Sequence, residues 1–308
     1  MKIVIFGGSG SFGTAMTKRL LKANKVVIFS RNEKLQFEHR QKIGKNENVS
    51  YVIGDIRDYQ AVYDALENTD YVILASAMKH IDKCENNPNE CKKTNIDGCI
   101  NVINASIERN VKKLVFLSTD KATNPSTIYG CSKLFVEMYC QCVDNKNTQI
   151  IRTRYGNVFG SNGSVAWVFD KLSREGSKLT ITNPNMTRFF MSLDNAVDLV
   201  YKALEEGKHN DLWVYSNKSC TIKELADLFS ENQEVIGNRC EEKTDEALLT
   251  INELDHSELL GDTYYRVNKE IKSPFKHNKH LQSDNAERLT KEELEEMLNN
   301  WRKECNIQ

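Results

Sequence analysis

Two short stretches carry side chains able to do acid–base chemistry. Ser118-Thr119-Asp120-Lys121 is followed eight residues later by Tyr129-Gly130-Cys131-Ser132-Lys133. The spacing of Tyr129 and Lys133 stacks both on one face of a helix. A phenol held beside an ammonium group gives up its proton more readily, because the cation stabilises phenolate. Asp120 and Lys121 put an acid and a second amine at the end of the apolar run Lys113-Leu114-Val115-Phe116-Leu117. An oxidising pair, an acid and a base would then converge on one small volume, which is more than alcohol oxidation requires. Alone, Asp120-Lys121 ahead of Pro125 is also an ordinary turn composition. Its place beside Tyr129 and Lys133 at a strand end favours chemistry.

The elements that must position these residues are legible as apolar runs. Ile3–Phe6, Val26–Phe29, Val49–Ile53, Tyr71–Leu74 and the run ending at Leu117 predict buried strands, and Gln149-Ile150-Ile151 a weaker sixth. Continuous β-rich runs separated by helical segments predict an α/β fold, a doubly wound parallel sheet covered on both faces. Ligands of such sheets sit beyond the carboxyl ends of the strands, where the two motifs fall. Past about residue 155 the pattern loosens. A helix through Ala196, Leu199, Val200 and Ala203 and a strand at Leu212–Tyr215 are expected there. Capping boxes at Thr221–Glu224 and Thr290–Glu293 each start a helix. The stretch from about 232 to 289 is polar and irregular.

Gly7-Gly8-Ser9-Gly10-Ser11-Phe12-Gly13 follows the first strand and leads into a helix. Gly7, Gly10 and Gly13 let a backbone turn tightly and approach a pyrophosphate at a helix N-terminus. Dinucleotide readers place an acid after the second strand for NAD and a cation for NADP; Ser30-Arg31 favours NADP here. Asp55, at the end of the third strand, can accept from an adenine amino group or cap the next helix. The expected division is 1–160 as the NADP-binding Rossmann domain, with a returning segment at about 193–218. Residues 161–192 and 219–308 would form a smaller, substrate-binding C-terminal lobe.

Bulk properties narrow the classes. Net charge is −1 over 308 residues, so nothing asks for nucleic acid or an anionic membrane. The 28% charged and 40% hydrophobic residues are ordinary for a soluble domain. Nine cysteines without a CxxC pair predict reduced thiols and no metal site. No apolar run approaches a membrane span, and Met1-Lys2 leads straight into a strand, so a cytoplasmic protein is expected.

Together these motifs resemble the extended short-chain dehydrogenase/reductase superfamily. Within it the chain is similar to the soluble UDP-N-acetylglucosamine 4,6-dehydratases of the 5-inverting type. The resemblance spans nearly the whole chain. Besides the motifs above it rests on Gly54–Asp58, Lys79-His80, Thr94–Gly98, Arg154–Val158, Met186–Met191 and Ser283-Asp284-Asn285. Dehydratases of glucose nucleotides usually carry Glu after the Asp of Thr119-Asp120-Lys121, and epimerases lack the acid–base pair. Membrane-anchored, 5-retaining relatives commonly have Met at the position of Tyr129. Asn162, where relatives often have Arg, and Trp167, often Pro, are departures that bear on substrate recognition.

The resemblance implies roles. Tyr129 takes the 4-hydroxyl proton of UDP-N-acetylglucosamine as hydride leaves carbon 4 for NADP. Lys133 lowers the tyrosine pKa and holds the nicotinamide ribose, and Thr119 hydrogen-bonds the same sugar oxygen. Lys121 removes the carbon-5 proton and Asp120 protonates the departing 6-hydroxyl. Burial is expected to keep both in their neutral forms. Ser11, Phe12, Ile56, Ala75 and Lys79 join Gly7, Gly10, Gly13, Ser30, Arg31 and Asp55 around the cofactor. Lys79, Thr119, Asn157 and Arg188 face the substrate, the last two at its diphosphate. Helices over 95–109 and 129–143 would pair in a homo-oligomer. A 5-retaining dehydratase, a nucleotide-sugar 4-epimerase or reductase, or a non-catalytic NADP sensor are the alternatives on this fold.

Overall fold

β-branched residues dominate the first strands because both faces of each must pack against helices. The computed structural model describes residues 1–238, 241–305 and 307; Cys240 lies outside them. Strands β1 (Lys2–Phe6), β2 (Lys25–Ser30), β3 (Val49–Ile53), β4 (Tyr71–Leu74), β5 (Lys113–Leu117) and β6 (Gln149–Arg154) pair in parallel in the order 3-2-1-4-5-6. Alternate residues of β1 enter opposite cores, as a two-residue period dictates. Val4 and Phe6 join Val102, Ile103 and Val136 on one face. Ile3 and Ile5 join Met16, Leu20 and Val200 on the other. The helices of the second face are Ser11–Leu20 and Leu193–Glu206.

The sheet does not stop at β6. Three short strands, β7 (Asn157–Val158), β8 (Leu179–Ile181) and β9 (Thr187–Met191), lead out to the smaller lobe, and β10 (Leu212–Tyr215) returns parallel to β6. β11 (Lys218–Thr221) completes a three-stranded sheet with β9 and β7. β12 (Gln233–Val235) pairs with β8, and β13 (Ala247–Leu249) pairs with β16 (Leu281–Gln282). The lobe's core gathers Phe159, Phe169, Phe190, Leu225 and Trp301.

One expectation needs correcting. The stretch 219–308 does not belong wholly to the lobe. β14 (Ser257–Leu260) and β15 (Tyr264–Val267) form an antiparallel hairpin that extends the main sheet beyond β10, to nine strands. β14 is the edge strand, and the hairpin is half-buried and carries Glu258 and Arg266, paired at 2.9 Å. A third capping box, at Thr250, starts the helix Ile251–Asp255 beside those expected at Thr221 and Thr290. The eight described cysteines are free thiols. Among the described residues no helix is long and apolar enough to cross a membrane.

Candidate active site

The glycine loop lies where strand order reverses, with β1 between β2 and β4. Gly7 has φ +80°, and a Cβ there would stand 2.8 Å from the Ser76 nitrogen. A Cβ on Gly13 would stand 2.1 Å from the Gly8 carbonyl oxygen, so this glycine seats the helix on the loop. Gly10 differs. The nearest atom to an added Cβ is 3.8 Å away, which leaves the backbone facing open space. Gly10 is also the N-cap of the helix that Ser11 and Phe12 open, and no side chain caps it. An uncapped helix start over an open cradle fits a pyrophosphate.

The far end of that groove is polar. The Gln36 amide donates to the Ser30 carbonyl and hydroxyl and to the Val52 carbonyl, fixing the end of β2. Arg31 is exposed, with its guanidinium 3.7 Å from the Asp55 carboxylate. Burial raises the Asp55 carboxyl, but hydrogen bonds from Arg57 outweigh it and hold the group below its ordinary range. Asp58, not Asp55, caps the following helix. Ile56 is buried against Gly98, and the Ala75 N–H donates to Phe6 at the end of β1. An exposed cation beside Ser30 and an acid at the end of β3 suit the adenosine end of a dinucleotide.

The acid–base cluster stands beyond β5. Thr119 caps the turn Asp120–Ala122, accepting from the Lys121 N–H at 3.4 Å, and its hydroxyl donates to Asp120 Oδ1 at 2.9 Å. Lys121 Nζ donates to the same oxygen at 3.0 Å. Asp120 is fully buried, and its Oδ2 has no hydrogen-bond partner among the described residues, an acceptor held ready in a dry place. Gly130 explains how the Tyr129 helix, Ile128–Cys142, comes so near: a Cβ there would meet the Lys121 carbonyl oxygen at 2.3 Å. Tyr129 and Lys133 are both buried on that helix.

Two electrostatic expectations change. Burial alone would lower Lys121, but the Asp120 and Glu246 carboxylates outweigh it, and its ammonium is held above the ordinary range. The carboxylates beside Lys121 thus favour its charged form, opposite to the direction expected from burial. Burial is the largest influence on Tyr129 and pushes its phenol up, with the Tyr155 and Asp120 charges adding; a hydrogen bond with Thr119 opposes them. Lys133 is turned to structure here. Its Nζ donates to the Leu117 carbonyl at 2.7 Å and lies 4.7 Å from the centre of the Phe116 ring, and burial lowers its pKa.

The two residues expected at the diphosphate make protein contacts in the structure. Arg188 is buried, and its guanidinium donates to the carbonyls of Thr187, Thr244 and Lys243 and to Met186 Sδ. Through these bonds it holds the 243–244 backbone. Asn157 Oδ1 accepts from Lys121 Nζ at 3.5 Å, joining the acid–base cluster. Lys79 and His80 are exposed after β4, with the His80 ring over Gly163. The departure at Trp167 has a packing reason. Its indole donates to the Gly160 carbonyl at 3.0 Å and meets Trp301 edge-on, with centroids 4.9 Å apart. Gly160, at φ +66°, has no room for a Cβ beneath Trp301. In the same loop the Asn162 N–H donates to Ser11 Oγ at 3.4 Å.

Several residues of the site escaped sequence reasoning. Glu246 is buried with Oε1 3.8 Å from Lys121 Nζ and Oε2 accepting from Lys243 at 2.9 Å. Its backbone is clamped at both ends by Ser283, whose hydroxyl accepts from the Glu246 N–H and whose N–H donates to the Glu246 carbonyl. Asn95 spans from the Met78 backbone to Ser132 on the Tyr129 helix. Only the motif Ser283-Asp284-Asn285 gave any signal for the Glu246 clamp.

The family described as "Polysaccharide biosynthesis protein" matches residues 3–268. A protein of Campylobacter jejuni subsp. jejuni serotype O:23/36 (strain 81-176) named UDP-N-acetylglucosamine 4,6-dehydratase (inverting) is 41% identical over 280 residues, which is 88% of this chain and 83% of its own. A protein of Rickettsia prowazekii (strain Madrid E) named UDP-glucose 4-epimerase is 39% identical, over 86% of this chain and 82% of its own. The X-ray structure of Pen from Bacillus thuringiensis superposes with a TM-score of 0.91 at 34% identity, covering 98% of this chain and 97% of that one.

Proposed function

This chain belongs to the polysaccharide biosynthesis protein family on an extended short-chain dehydrogenase/reductase fold, and from that premise we propose that it is a UDP-N-acetylglucosamine 4,6-dehydratase inverting carbon 5. One observation carries the reading: Asp120 and Lys121, hydrogen-bonded at 3.0 Å in a nearly dry site beside Tyr129. Loss of water across carbons 5 and 6 needs an acid and a base there, once carbon 4 is a ketone. A 4-epimerase, the activity in the Rickettsia relative's name, exchanges hydride at carbon 4 alone and leaves the pair without work.

The residues divide the labour as follows. The bound nicotinamide supplies the hydride acceptor for carbon 4 and the hydride donor for carbon 6. Tyr129 removes the 4-hydroxyl proton, and Thr119 hydrogen-bonds the same oxygen. The Asp120–Lys121 hydrogen bond then matters most. Moving its proton from Lys121 to Asp120 converts an ion pair into a carboxylic acid and an amine, with no proton imported. Lys121 takes the carbon-5 proton, Asp120 gives its proton to the departing 6-hydroxyl, and water leaves.

Arg31 and Ser30 at the end of β2 favour NADP over NAD as the cofactor. Lys79 lies at the mouth, within reach of either the sugar nucleotide or the cofactor. Phe135 and Met138 are about half exposed on the Ile128–Cys142 helix, which supports pairing with a second copy in a cytoplasmic homo-oligomer. The test is incubation with UDP-N-acetylglucosamine in deuterated water, followed by NMR. The expected product is UDP-2-acetamido-2,6-dideoxy-β-L-arabino-hexos-4-ulose with one deuteron at carbon 5. Retained D-xylo configuration would overturn inversion, and a product epimerised at carbon 4 with its 6-hydroxyl intact would overturn dehydration. The protein should retain NADP(H) through purification; preference for NAD would remove Arg31's assignment, and no turnover at all would favour a sensor.

A further inference from the structure

Around Lys121 the structure assembles three cations and three carboxylates. Asp120 Oδ1 lies 3.0 Å and Glu246 Oε1 3.8 Å from its Nζ. Lys243 Nζ lies 2.9 Å from Glu246 Oε2 and donates to the carbonyl of Thr123, just past the Asp120–Ala122 turn, at 3.1 Å. Arg188, on β9, lies 3.8 Å from Glu242. Tyr129 and Tyr155 face the cluster from the Ile128–Cys142 helix and from the end of β6, and burial is the largest influence raising each phenol. Asp120 and Glu246 are the two carboxylates within 4 Å of Lys121 Nζ, so removing the Glu246 charge leaves Asp120 alone against it.

Resting on the dehydratase reading, we propose that Glu246 is a positioning residue that keeps one proton on the Asp120–Lys121 pair, with Lys243 setting how strongly it does so. The elimination consumes an acid and a base drawn from two groups that share a single proton. If that proton escapes to solvent, Asp120 is left as carboxylate and the 6-hydroxyl has no donor. Glu246 opposes the escape because losing it would leave two carboxylates facing a neutral amine. The orientation is fixed rather than incidental. Ser283 holds the Glu246 backbone at both ends, and Arg188 holds the carbonyls of Lys243 and Thr244. None of these residues needs to touch the sugar.

The same logic gives the variants opposite signs. Glu246→Gln removes the anion, so the pair loses its proton at lower pH, and the alkaline limb of the kcat profile should move down by about one pH unit. Glu246→Asp should restore part of the shift. Lys243→Met leaves Glu246 facing Lys121 alone and should move the limb up. KM for UDP-N-acetylglucosamine should stay within about twofold, since binding and carbon-4 oxidation do not use the shared proton. The measurement is kcat against pH for holoenzyme and the three variants, read from 4-keto product formation. Loss of activity equal at every pH in Glu246→Gln, with no shift in Lys243→Met, overturns the role of Glu246. Should Glu246→Gln fail to fold, the upward shift in Lys243→Met decides alone. A wild-type enzyme that forms no 4-keto-6-deoxy product rejects the dehydratase reading instead.

Discussion

Tyr129 and Lys121 should separate two halves of one reaction. Lys121→Ala keeps Tyr129, Thr119 and the glycine loop, so hydride should still leave carbon 4 while water loss slows by about 10²–10⁴-fold. Tyr129→Phe should abolish transfer of a carbon-4 deuteron to the cofactor in a single turnover. Near-normal product formation by Lys121→Ala would remove that residue from the mechanism. This half of the site was legible in the sequence because a strand end, a turn and a helix start are contiguous in the chain. Glu246 was not legible. It approaches Lys121 across 125 residues of separation, beside only the short apolar run Ala247-Leu248-Leu249. The backbone contacts of Arg188 were not legible for a related reason: a guanidinium satisfies carbonyls as readily as phosphate, and only the fold reveals that the 243–244 backbone lies in its reach.

Among the elements, the Ile128–Cys142 helix matters most, since it carries Tyr129 and Lys133 and is tied to the following segments by one buried residue. Arg154, on β6, pairs with Glu137 of that helix, with Glu253 of the helix Ile251–Asp255 at 3.1 Å, and donates to the Leu248 carbonyl. Removing it leaves Glu137 buried and unpaired. Arg154→Met should destabilise the protein by about 3–5 kcal/mol in urea unfolding, and adding Glu137→Leu should recover much of the loss. A single variant as stable as wild type would mean that the clamp contributes nothing. Strands were read well where both faces are buried, as in β1, β2, β4 and β5. The hairpin β14–β15 escaped because an edge strand needs only one packed face and can carry Glu258 and Arg266 on the other.

At the scale of the whole molecule, stability should depend on pH through a histidine remote from the acid–base cluster. His39 is buried with Nδ1 2.9 Å from the Tyr51 hydroxyl. Burial first, then the Lys42 charge, lowers its pKa from 6.5 to about 4. The unfolded chain therefore binds a proton that the folded one refuses, and stability falls as pH drops from about 6.5 towards about 4. The slope contributed by one such group approaches about 1.4 kcal/mol per pH unit. Urea unfolding at pH 7 and pH 5 should show a smaller loss in His39→Gln than in wild type; equal losses would assign the dependence to other groups. The aromatic pair over Gly160 has a consequence of an optical kind. Two of the three tryptophans, Trp167 and Trp301, lie edge-on against the loop whose Asn162 touches Ser11 of the cofactor cradle, while Trp213 is sealed within the sheet. Seating of a dinucleotide at that loop should be visible as a change in intrinsic fluorescence, lost in Trp167→Phe, so the chain carries its own emission probe for occupancy; an unchanged spectrum on saturation would mean that the loop does not respond.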